Sequence, residues 1–214
     1  MKKLDYFIEK DPRIKKVYDY AKKKYNKANL PQHNLAHVLR DLYRALIIAE
    51  TEKGVKYFVL IPAVLLHDIG GTEGKHQNHE ERGVLIIKRD LPKLGYPKKE
   101  IGKIAHCIES HNGKIKPETI EAKILFDADR LEKFGIGGIF AFYRAQQESK
   151  TPINKWIEMA IRKYRKFIKE GFYTKKAKKI SENGFQECIK HLNEVRKGLK
   201  ERKDFLISEK DLWQ

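Results

Sequence analysis

Cysteine is nearly absent from this 214-residue chain: Cys107 and Cys188 are the only two, far apart and without CxxC spacing. That excludes a zinc ribbon and a disulfide framework, and leaves reduced thiols packed in helices as the expected state. No run of eighteen uncharged apolar residues occurs, so no membrane span is expected. The start Met1-Lys-Lys-Leu-Asp-Tyr-Phe lacks a long apolar segment, which points to a cytoplasmic protein. Period-two runs rich in Val, Ile and Thr are missing too, and with them the signature of a sheet. Nor is there a repeat, a low-complexity tract or a clear linker.

What is present is positive charge and helical periodicity. The formal net charge is +17 with a pI near 9.7, which draws in phosphorylated partners: nucleotides, nucleic acid or anionic surfaces. Lysines are interleaved with glutamates along nearly every segment, a pattern that a solvated surface explains better than a dedicated nucleic-acid footprint. With 41% hydrophobic residues the chain is long enough for one sizeable core, and one domain is expected.

Apolar residues recur at three- and four-residue spacing almost throughout, so the fold class is all-α. A helix near 34–50 sets Leu35, Val38, Leu39, Leu42, Ala45, Leu46 and Ala49 on one side, with His33, His37, Arg40 and Arg44 on the opposite stripe. A second begins after Asn78, with Glu81 completing a capping box and Val84, Leu85, Ile87 and Leu91 buried; Gly95-Tyr-Pro97 ends it. Further helices are expected near 98–111 and 118–134, then a glycine break at Gly135–Gly138. Thr151-Pro152 opens a helix burying Trp156, Ile157, Ala160, Ile161 and Tyr164, and Gly171 stops it. The last long helix, near 175–201, puts Ile180, Phe185, Cys188, Leu192, Val195 and Leu199 on one face, with a bend expected at Asn183-Gly184. The apolar ends Phe205–Ile207 and Leu212-Trp213 are suited to docking on the core or on another subunit, and the oligomeric state stays open.

The chemistry is concentrated in a few polar residues set among apolar ones. His67-Asp68 closes the run Ile61-Pro-Ala-Val-Leu-Leu, where neither is needed for packing. With His37 upstream and Asp129 downstream, the chain offers two imidazoles and two carboxylates as one possible metal shell. At about 100° per residue, Asp129 falls among Ala122, Leu125 and Phe126, whereas Asp127 falls beside Lys123 and Arg130 on the polar side. A buried carboxylate needs a metal, a cation or a proton, so an ion pair of Asp129 with Arg or Lys is the competing explanation. The same geometry points His111 along the Ile104 and Ile108 face, as a cleft residue or a hydrogen-bonded core histidine. His79 and Glu80 sit at a helix amino terminus, where His79 is suited to phosphate or to a second metal, and where a plain capped surface helix serves nearly as well. His37 on its own would pass for part of a solvated stripe; its combination with the other three donors singles it out. That mixed donor set suits Mn, Fe, Co, Ni or Zn, with Mg less well matched.

The separated elements His37, His67-Asp68 and Asp129, with the phrases His33-Asn-Leu-Ala-His-Val-Leu-Arg40, Leu65-Leu-His-Asp-Ile-Gly70 and Asp127-Ala-Asp-Arg-Leu-Glu132, resemble the H…HD…D pattern of the HD-domain metal-dependent phosphohydrolase superfamily. The resemblance covers roughly residues 30–135. It implies a single-domain helical bundle of the HD type, with the metal-site core at about 30–135 and carboxy-terminal helices at about 152–201. It implies one divalent ion on His37, His67, Asp68 and Asp129, a second ion being open, and hydrolysis of phosphomonoesters, phosphodiesters or nucleotides. Tyr173–Ile180 is similar to a small bacterial and archaeal branch with some nucleoside triphosphate hydrolases. Gly70-Gly71 stands where guanosine-tetraphosphate hydrolases carry acidic residues, which argues against that activity, and Gly95-Tyr-Pro97 is not the signature of the cyclic-di-GMP phosphodiesterases.

The expected chemistry is activation of water and polarisation of a phosphoryl oxygen by the ion, with Asp68 and His67 at the catalytic centre. His33, Arg40, Arg44, His79, Arg82, His111 and Arg130 are the candidates for holding substrate phosphate. Two other classes stand beside the hydrolase: a nucleotide-sensing module that binds without turnover, and, less favoured, a nucleic-acid-binding protein. Against the latter, Trp156, Tyr164 and Phe167 lie at helical core spacing and not as a stacking platform.

Overall fold

The computed structural model describes residues 3–30, 33–74, 77–146 and 151–203. The expected docking segments Phe205–Ile207 and Leu212-Trp213 lie outside them. Among the described residues the chain is all-helical: α1 (Leu4–Lys10), α2 (Arg13–Ala28), α3 (Leu35–Ala49), α4 (Tyr57–Leu66), α5 (His79–Asp90), α6 (Lys98–Ser110), α7 (Ile120–Glu132), α8 (Gly135–Gln146), α9 (Ile153–Glu170) and α10 (Lys175–Lys203), with short 3-10 turns at Ile69–Glu73 and Leu91–Leu94. No helix among them is long and apolar enough to cross a membrane. The chain divides into two compact units, residues 1–129 and 130–214.

In the first unit α4 is the central rod. Every residue from Val59 to Leu66 is buried, and α2, α3 and α6 all pack against it. A helix apolar on every side needs neighbours on every side. Burying Leu60, Ile61, Leu65 and Leu66 contributes about 1.5–3 kcal/mol each relative to exposure, which outweighs the helix hydrogen bond lost at Pro62. The buried Glu121 carboxylate accepts the amide of Lys56, the residue that precedes α4, at 2.8 Å. That satisfies one of the donors orphaned at a helix start.

Helix α5 enters differently from its sequence expectation. Asn78 precedes it in the left-handed region (φ 55°) and makes no side-chain cap, so the capping box with Glu81 does not form. What fixes the entry is the approach of α5 to the 3-10 turn. A methyl group on Gly70 would collide with the carbonyl of His79 and the amide of Gly83. Arg82 straps the same turn, donating to the carbonyls of Gly70 (3.1 Å) and Gln77 (2.7 Å). Val84, Ile87 and Leu91 are buried as expected, but Leu85 is 67% exposed.

In the second unit α10 packs on α8 and α9. Trp156, Ile157, Ala160, Ile161 and Tyr164 form the buried face of α9, and Gly171 ends it with φ 78°. Pro152 takes the cap position and the helix begins at Ile153, one residue later than a Thr151 cap would place it. The glycines at 135–138 do not break the chain into a loop. They open α8, Gly138 packing so tightly on the Lys133 backbone that a Cβ would not fit. Helix α10 runs through Asn183-Gly184, where the glycine admits the side chain of Phe134. Ala177, Ser181, Cys188 and Leu192 face inward, while Ile180 and Val195 are exposed.

Candidate functional site

The first unit gathers an unusual set of buried polar groups. His37, Asp41, His67, Asp68, His79, Glu80 and His111 are all 7% exposed or less. Each is placed by a helix end or a helix face.

Asn34 caps α3 by accepting the amide of His37 at 3.1 Å, which starts the helix with His33 just before it and His37 in the first turn. His67 and His111 are the residues immediately after α4 and α6. Each donates from Nδ1 to the carbonyl three residues back, His67 to Val64 at 2.8 Å and His111 to Ile108 at 2.7 Å. Those carbonyls belong to the last turn of a helix and have no partner within it. The bond therefore does two things: it satisfies the helix end and fixes the tautomer, leaving an Nε2 lone pair on each ring directed into the interior.

The rings converge on Asp68. Its Oδ2 is 2.6 Å from His33 Nδ1, 3.2 Å from His37 Nε2 and 3.3 Å from His67 Nε2. Its Oδ1 faces the other way, 3.0 Å from His79 Nε2 and 3.9 Å from His111 Nε2, and those two nitrogens are 3.3 Å apart. Asp129 Oδ1 stands 3.8 Å from His37 Nε2. One carboxylate thus joins two nests of imidazole nitrogen.

The donor chemistry fits a metal. With Nδ1 committed to Val64, Nε2 of the neutral His67 ring is an acceptor, yet it faces two carboxylate oxygens, Asp68 Oδ2 and, at 3.7 Å, Asp41 Oδ2. Acceptor facing acceptor in a buried site is repulsive unless a cation or a proton lies between them. The donors form overlapping sets of candidate ligand atoms: His37, Asp41, His67 and Asp129; His33, His37 and Asp68; His67, Asp68 and His111. Electrostatics point the same way. Burial pushes His67 down, but the charge and contact of Asp68, with Asp41 adding, outweigh it and raise the ring to about 9. Burial would push Asp68 up; the charge of His67 and hydrogen bonds from His33, His37 and His67 hold it well below the carboxylate range instead. His111 goes the opposite way, lowered to about 4 by burial and the nearby His67 charge.

The other sequence candidates stand apart from this convergence. Arg40 is exposed, and its carbonyl accepts from Arg44 at 3.3 Å. Arg82 is engaged as the strap on the 3-10 turn. Arg130 belongs to the second unit, where it pairs with Glu170 at 3.0 Å, donates to the Gly171 carbonyl and lies over the Phe167 ring. Asp127, expected on the polar side of α7, is fully buried, because that helix is enclosed around most of its circumference. His106 accepts the Glu118 amide at 3.0 Å outside the cluster.

The sequence reading missed Asp41. It is fully buried, and its Oδ2 is 3.3 Å from His37 Nε2. The signal was there in the four-residue spacing from His37, which puts both on one helix face, but Arg40 and Arg44 beside it made that face look solvated.

An all-helical scaffold that buries a His/Asp cluster at helix ends is the architecture found here. Residues 34–133 match the model of the HD domain family. Its fold is shared with solved structures. A predicted HD superfamily hydrolase from an uncultured Thermotogales bacterium is similar at 24% identity and TM-score 0.68, over 92% of this chain and 99% of that one. An HD-superfamily hydrolase from Bacillus thuringiensis is similar at 22% identity and TM-score 0.69, over 89% and 98%. Bacillus subtilis YpgQ, solved in complex with ADP, is similar at 18% identity and TM-score 0.69, over 87% and 95%.

Proposed function

We propose that the protein is a divalent-metal-dependent phosphohydrolase acting on nucleotides. The observation that carries this reading is the convergence of buried His37, His67 and Asp68 with the half-buried Asp129, Nε2 of His67 being aimed at carboxylate oxygens. These four residues would hold the ion. When bound, it supplies Lewis acidity for activating water and polarising a phosphoryl oxygen, with Mn, Fe, Co, Ni or Zn better matched than Mg.

The chain's own groups do the rest. His33 holds Asp68 Oδ2 at 2.6 Å and orients that carboxylate. His111, kept neutral and with its only N–H given to Ile108, has no proton to offer a phosphate. That turns it, with His79 and Asp68 Oδ1, from a phosphate contact into the donor set for a second ion. Substrate phosphate is left to the half-exposed rim of the cluster at His33 and to Arg40 and Arg44 on the same helix face. The choice of nucleotide is supported by the net charge of +17 and by the ADP bound to YpgQ.

The test is chromatographic product analysis of purified protein with Mn, Co, Ni, Zn or Mg against ribo- and deoxyribonucleoside mono- and triphosphates, with Asp68→Ala alongside. Release of phosphate, pyrophosphate or triphosphate, falling at least about 100-fold in the variant, is the expected result. Nucleotide and metal binding without product would move the assignment to a sensing module.

A further inference from the structure

We propose that Asp41 is itself a metal donor, so that the ion is held by two imidazoles and three carboxylates. The inference rests on the metal-site reading above and goes beyond its four residues.

Asp41 follows His37 by one turn of α3, and the two side chains leave the helix on the same face. Its carboxylate is fully buried. Oδ2 lies 3.3 Å from His37 Nε2 and 3.7 Å from His67 Nε2. The second distance matters because, with Nδ1–H bonded to Val64, the neutral His67 ring turns a lone pair on Nε2 toward Asp41 Oδ2, a face-to-face contact that takes a proton on Nε2 in the metal-free chain or an ion in the loaded one. A lone pair and a carboxylate held face to face in the interior require a positive charge between them. One atom from each of His37, Asp41, His67 and Asp129 lies within 4.8 Å of all the others, which is the span of donors about a single ion with bonds of roughly 2.0–2.2 Å. Asp68 meets the same imidazoles through Oδ2 while its Oδ1 faces His79 and His111. Asp41 completes the shell that Asp68 shares with the second nest.

A third carboxylate has a chemical consequence. Oxygen-rich sets suit Mg and Mn, whereas imidazole-rich sets suit Zn, Cu, Fe and Ni. Asp41 therefore tilts this centre toward the harder ions.

The experiment measures Mn2+ and Zn2+ affinity by calorimetric titration of the metal-stripped full chain, with Asp41→Asn, Asp41→Val and Asp68→Ala for comparison. Both Asp41 variants are expected to lose about tenfold or more in Mn2+ affinity and to lose distinctly less for Zn2+, so that the preference between the ions shifts. The metal-free melting curve of each variant guards against a folding artefact: a cooperative transition well above the titration temperature shows that the affinities are read on folded protein, even where loss of the carboxylate beside His67 lowers the melting temperature. Unchanged affinities, or an equal fall for both ions, would overturn the proposal while leaving the metal site standing. A wild-type chain that binds neither ion would overturn both.

Discussion

The two units bury opposite things. Residues 1–129 hold seven of the eight histidines, and five of those rings meet three carboxylates inside a shell of apolar helices. Residues 130–214 hold Lys and Arg outnumbering Asp and Glu by 21 to 11, and the interior of that unit is aromatic and aliphatic: Phe134 against Tyr164, Phe167 and Phe172, and Trp156 against Phe142 and Tyr143. One region accepts the cost of desolvating polar groups and so gains a site. In the other, most charged side chains among the described residues reach solvent, Glu132 being buried. Burial of polar groups that nothing in the packing calls for is what marks the candidate site, whereas the positive charge speaks only to the sign of a substrate.

Three measurements press on that contrast. The largest effect is expected from Trp156→Ala, which removes a large buried side chain of α9 that meets Phe142 and Tyr143 and destabilises by about 3–5 kcal/mol; a melting temperature within experimental error of wild type would mean that the second unit does not depend on its apolar interior. Next comes Gly70→Ala, where the added methyl has only main-chain atoms to meet. A loss of about 1–3 kcal/mol in chemical denaturation is expected, together with weaker metal binding, because the displaced segment carries Asp68 on one side and His79 on the other.

The smallest effect is on the pH profile of the metal-free protein. His67 has a folded value of about 9 against the ordinary 6.5, so the stability it contributes is full below pH 6.5 and is lost as pH rises through 9. His111, at about 4, acts in the opposite window: the unfolded chain binds the proton first, and stability falls as pH drops from 6.5 toward 4. Together they place the maximum near pH 6.5, with the melting temperature lower by about 5 °C on either side. A melting temperature that climbs steadily to pH 9 would show that the cluster does not hold a proton in place of its cation. Saturating Mn2+ should flatten the alkaline limb, since the ion replaces the proton on His67.

How much of this was legible in the sequence depended on how many sides of each element are covered. Helix α4 was plain, because an apolar run ending in His-Asp has no solvated explanation. The face of α9 was plain as well, since Trp156, Ile157, Ala160, Ile161 and Tyr164 form one clean stripe over a polar remainder. Helical-wheel reasoning failed where helices are enclosed on more than one side. Asp127 looked solvated and is buried; Asp41, between Arg40 and Leu42, was passed over and is buried too. Contacts between main chains were invisible for a different reason. Nothing in Asn78 through Arg82 announces that Gly70 sits against the start of α5, so a capping box was expected where a tertiary contact does the work.

That contact sets the ruler of the site. Because main chain meets main chain at Gly70 and His79, the backbones that carry Asp68 and His79 cannot draw apart freely, and side-chain rotation alone is left to adjust the gap between them. An ion or bridging group too large for it would have to displace α5 along its length, against Arg82 and the packing of Val84 and Ile87. If the site holds an ion, this contact would sort its guests by size as well as by charge.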